Sequence, residues 1–180
     1  MRGIFLYRNI LCMTALVMVL FMGTALAAPR AMTVDDVVIA GIAPGNDLNY
    51  VRSIYGEPDG EKTIRIGSYN HPAYLVDYYG QGFVITYNIM EDGAWNPLVQ
   101  KIESTNAALV MPSGIHVGMK IADVQQIFND LKEYPAEKEY MTRFGISLSN
   151  GKEGVRFFVL QIDQKGIVQK ILLTDQYADE

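Results

Sequence analysis

Apolar positions in this 180-residue chain change their period in step with a recurring order. In "GIAPGNDLNYVRSIYG", residues 41–56, Leu48, Val51, Ile54 and Tyr55 fall at helical spacing. In "GIHVGMKIADVQQIFN", residues 114–129, Ile121, Val124, Ile127 and Phe128 do the same, and Leu131 extends the stripe. The opposite faces are polar: Asn49 and Arg52 in one, Asp123, Gln126 and Asn129 in the other. Gly45 and Gly118 stand just before these segments, where a turn of positive φ is cheap only for glycine. Asp47 suits the N-cap of the first helix, whereas its counterpart Lys120 cannot accept a hydrogen bond. Gly56 and Pro58 stop the first helix.

After each helical stretch the pattern becomes extended and rich in Val, Ile, Phe and Tyr. Strands are predicted at 74–79, 82–87 and 98–103, with a further one around 63–69. A second set is predicted at 145–148, 155–162 and 167–173. "YGQG", "SNGKEG" and "DQKG" between consecutive strands are turn signals, and so predict antiparallel hairpins. The last strand of each set contains "VQKI", at 99–102 and again at 168–171. Strict alternation would put Val99 and Lys101 on one side and Gln100 and Ile102 on the other. Either a bulge or a strand apolar on both sides would reconcile this.

The two halves also match position by position. Ile42, Gly45, Leu48, Val51, Ile54 and Tyr55 correspond to Ile115, Gly118, Ile121, Val124, Ile127 and Phe128. These lie 73 apart, against 69 for the VQKI copies, a difference taken up in loops. The expected fold is α+β: two tandem repeats, each a helical segment packed on a three- or four-stranded antiparallel sheet. Expected boundaries are 1–27 for a leader, 28–36 for a linker, 37–105 for the first repeat and 106–180 for the second.

This arrangement resembles the β-lactamase-inhibitor-protein-like fold and the related outer-membrane lipoproteins of the SmpA/OmlA type. The residues carrying the resemblance are Ile42, Gly45, Val51, Gly56 and Pro58, with Ile115, Gly118 and Val124 in the second half. Asn129 replaces the second glycine, and no proline follows at the matching distance. The similarity spans about Val37 to Thr174. It implies a binding scaffold whose partners differ from member to member.

The first residues change the picture of where the chain resides. Arg2 and Arg8 make a basic stretch ahead of an apolar run from Ile10 to Leu26, and Ala25-Leu26-Ala27 has the form of a cleavage site, with cleavage expected before Ala28. The competing reading is an uncleaved anchor. Cys12 is the only cysteine, and Asn9-Ile10-Leu11 before it make no lipobox. The expected product is periplasmic or extracellular, without thiol chemistry and without membrane insertion after cleavage. Cleavage would remove two of 15 basic residues and none of 20 acidic ones, taking the net charge from −5 to −7. That acidity argues against nucleic acid as a partner.

Catalytic groups do not gather in the sequence. His71 and His116 have no carboxylate at a ligand spacing, so no metal and no cofactor are expected. Serines occur without G-x-S-x-G or S-x-x-K. The pairs Asp35-Asp36 and Glu91-Asp92 read as solvated turns, and "EDGAW" lacks the ligand periodicity of a calcium loop. What stands out is aromatic: Tyr69, Tyr74, Tyr78, Tyr79, Tyr87 and Trp95 all lie in the first half. Tyrosine and tryptophan are enriched at protein interfaces, although some of these must fill the core. Tyr69, Tyr74, Tyr78 and Trp95 are the candidate protein-binding residues. The expected function is therefore a non-catalytic exported module that binds a protein partner. A proteinaceous hydrolase inhibitor inserting the loop 90–97 is one alternative, and an enzyme is the other.

Overall fold

The computed structural model describes residues 28–65, 73–89, 97–147 and 153–177. The expected leader and anchor alternatives, Tyr69, His71, Glu91-Asp92 and Trp95 lie outside them. Among the described residues no helix is long and apolar enough to cross a membrane.

Helix α1 runs Leu48–Tyr55. The Asp47 side chain caps it, accepting from the Tyr50 amide at 2.8 Å. It is followed by β1 (Gly60–Arg65), β2 (Ala73–Tyr79), β3 (Phe83–Ile89) and β4 (Leu98–Ser104). Then come α2 (Ile121–Val124), β5 (Lys132–Tyr134), β6 (Glu139–Ser147), β7 (Glu153–Ile162) and β8 (Val168–Tyr177). All eight strands form one antiparallel sheet in the order β1-β2-β3-β4-β8-β7-β6-β5.

This corrects the expected α+β tandem of two helix-on-sheet units. There is one continuous sheet, because β4 and β8 pair directly, Ile102 opposite Leu173 and Glu103 opposite Leu172. Two separate sheets would leave both of these strands with unpaired backbone groups, and their pairing removes two edges at once. The second helix is also much shorter than its stripe predicted. Lys120 provides no side-chain cap. The residues that would continue the helix are drawn into backbone bonds with Arg30, whose N–H donates to Ile127 O and whose O accepts from Asn129 N. A pairing across about a hundred positions thus overrides the local helical pattern.

Each VQKI copy sits on a bulge. Thr86 pairs with Lys101 but Tyr87 pairs with Val99, so Gln100 is the extra residue. Gln161 pairs with Lys170 but Ile162 with Val168, so Gln169 is the extra one. The bulge lets both apolar members face inward: Val99, Ile102 and Val168 are fully buried and Ile171 nearly so. It also turns the freed backbone toward the loops ahead of the helices. Gly45 N–H donates to Val99 O at 2.7 Å, and Gly118 N–H to Val168 O at 2.8 Å. These glycines have φ of +92° and +95°, which explains their residue type.

The core lies on one side of the sheet only. Phe83, Ile85, Phe158, Leu160 and Leu173 point up from the strands, and Ile39, Ile42, Val51, Ile115, Val124 and Phe128 come down from the connecting segments. The stretch 28–36 packs there too. Arg30 forms an ion pair with Asp36 at 2.5 Å and lies 4.8 Å above the Phe128 ring. Hydrogen bonds from Arg30 hold the Asp36 carboxyl down at about 2 against the opposing effect of burial.

Candidate protein-binding face

Alternation along the strands sends half of the sheet's side chains away from this core, into which both helices put their buried residues. Two rows cross six strands on that outer side. One reads Tyr78, Val84, Glu103, Leu172, Val159, Met141; the other reads Val76, Thr86, Lys101, Thr174, Phe157, Arg143. Val76 and Val159 are 6% exposed yet stand outside the core cluster. The face therefore carries two apolar flanks.

Between the flanks lies a charged centre on the β4–β8 seam. Lys101 Nζ reaches Glu103 Oε2 at 2.8 Å, and Lys170 Nζ reaches Glu103 Oε1 at 2.9 Å. Both lysines come from the VQKI copies, so the two four-residue stretches converge on one carboxylate. Burial pushes the Glu103 carboxyl up, but the two lysine hydrogen bonds and charges outweigh it and hold it below its ordinary value. One carboxylate between two ammonium groups leaves a surplus positive charge at the middle of the face. Counting Lys62 and Lys132 on the two edge strands and Arg143 on β6, five basic residues stand on the outer side against Glu103, Glu139 and Glu153. This is a cationic side on a chain whose net charge is −5.

Of the sequence-predicted residues, Tyr78 stands on this face at 40% exposure, and half-buried Tyr74 shares it four residues earlier on β2. Tyr79 faces the core at 7% exposure. Tyr69 and Trp95 fall outside the described residues. Alternation along β4 puts Lys101 beside Glu103, but only the β4–β8 pairing brings Lys170 to them, so the centre carried no signal as a unit.

Elsewhere the side chains are engaged structurally. His116 Nδ1 lies 2.9 Å from the Val117 carbonyl, and among the described residues no group of three metal-ligating side chains converges. A cleft of about 300 Å³ opens beside Tyr55, Tyr79 and Phe83. These rings pack on one another with centroids 5.4–6.3 Å apart. Asp59, at its rim, already accepts from the Gly80 amide. No family model, curated protein or solved structure matches the chain.

Proposed function

We propose that this is a non-catalytic exported module that recognises a protein partner, in the cell envelope or outside the cell, through the outer face of its sheet. The observation carrying this reading is that outer face, with apolar flanks around the Lys101–Glu103–Lys170 centre. Apolar area broken by a few fixed charges is the composition of specific interfaces: burial supplies affinity, and the charges set orientation. The resemblance over residues 37–174 adds a scaffold used for binding.

Capture from the envelope fraction tests it. The chain from Ala28 onward, immobilised, should retain a partner that free protein competes away. Leu172→Gln should abolish retention while leaving the unfolding transition nearly unchanged, since Leu172 is only half-buried on the outer side and the change sets no second carboxylate opposite Glu103. Retention that survives both Leu172→Gln and Phe157→Glu would overturn the proposed face.

A further inference from the structure

Beneath α1 lies a carboxylate with no use in binding. Asp77, on β2, is fully buried on the core side, and among the described residues neither of its oxygens accepts a hydrogen bond. Directly opposite on β1 is Glu61. Like charges facing each other across a strand pair are destabilising. The charged group that α1 brings to this spot is Arg52, and it is shared. It lies 2.8 Å from Glu61, 3.2 Å from Glu57 and 3.9 Å from Asp77. One cation thus serves three carboxylates and gives its closest contacts to the two that are solvent-exposed. The Tyr87 hydroxyl on β3 and Arg52 Nε are also buried without partners. Tyr79, on β2, donates to Gly56 O at 3.4 Å. Both tyrosines are near enough to favour an ionised Asp77, yet neither is placed to bond it.

We infer that Asp77 is a proton-operated fastener for α1 and the edge strand β1, holding them when its carboxyl is protonated and loosening them when it ionises. Protonation removes the repulsion with Glu61 and leaves Arg52 to the exposed pair. Burial is the largest influence on this carboxyl and pushes it up, against the pull of Arg52. An acid whose folded value is raised leaves the fold unpenalised below the ordinary carboxylate range. The penalty then grows as pH rises through that range to the raised value.

Thermal unfolding of wild type and Asp77→Asn between acid and neutral pH reads this out. At neutral pH Asp77→Asn should melt above wild type by about 2–4 °C or more, and the gap should close as pH falls below about 4. Asp77→Asn melting at or below wild type at neutral pH, or a gap that does not change with pH, would overturn the inference. Should Asp77→Asn not fold, Glu61→Gln serves. Without the opposing charge, the loss of melting temperature from acid to neutral pH should shrink. An unchanged loss would show Glu61 to be a salt-bridge partner of Arg52 alone and sink the idea. Partner capture plays no part in either readout, so failure here and failure of the binding face are separate results.

Discussion

Replacing Arg156 with alanine is expected to destabilise the protein by about 3–5 kcal/mol, the range for breaking a buried ion pair by removing one partner. Arg156 on β7 stands opposite Asp175 on β8. It grips that carboxylate with two hydrogen bonds, Nε to Oδ1 at 2.7 Å and Nη2 to Oδ2 at 2.9 Å. The side chains are 14% and 3% exposed. The same Nη2 donates to the Pro44 carbonyl at 2.7 Å, 112 positions away in sequence. The residue therefore fastens the loop before α1, including Gly45 and its bond to Val99, onto the second half of the sheet. Alanine would leave Asp175 charged and buried without its cation, and would take a donor from Pro44 O. Urea unfolding followed by circular dichroism measures the cost. A loss below about 1 kcal/mol, the range of exposed pairs, would mean that the pair is solvated.

Phe128→Ala should cost a similar amount, about 3–5 kcal/mol, for a large aromatic side chain truncated in a packed core. Phe128 is fully buried. It also has a second role that a residue central to the sheet would lack. The Arg30 guanidinium lies over its ring, and the flanking backbone of Ile127 and Asn129 bonds to Arg30. Losing the ring removes the surface on which the Arg30 guanidinium lies, although Asp36 would still pair with Arg30. Limited proteolysis should then cut within that stretch well before the rest of the chain. Stability loss with residues 29–36 still protected would show that the Arg30 backbone bonds suffice without the ring.

Much of the fold was legible residue by residue. Apolar alternation located β2, β3, β4, β7 and β8 to within a few residues, and the helical stripe with Asp47 and Gly56 placed α1. Alternation also separated Tyr78 from Tyr79. Two of the failures share a physical cause, which is pairing between distant segments. The Arg30 bridge shortened α2, and β4–β8 pairing fused two expected sheets into one. Strand β5 escaped notice because Lys132-Glu133-Tyr134 is short, charged and exposed at an edge, as edge strands that avoid further pairing tend to be. The VQKI copies raised the question of a bulge or a strand apolar on both sides, and backbone register answers it for the bulge. On the candidate face, Tyr74 and Tyr78 stood out by composition. In the Lys101–Glu103–Lys170 centre, Glu103 and Lys170 are 67 positions apart and no local pattern joins them. Asp77 likewise looks unremarkable between Val76 and Tyr78, and only burial against Glu61 and Arg52 gives it meaning.

The β4–β8 seam decides whether there is one sheet with a shared outer face at all. Nuclear Overhauser measurements across it should show backbone contacts between Ile102 and Leu173 and between Glu103 and Leu172, at the intensities seen inside β7–β8. Absence of those contacts, with each half giving its own strand pairs, would mean two separate sheets and no common face for a partner to dock on.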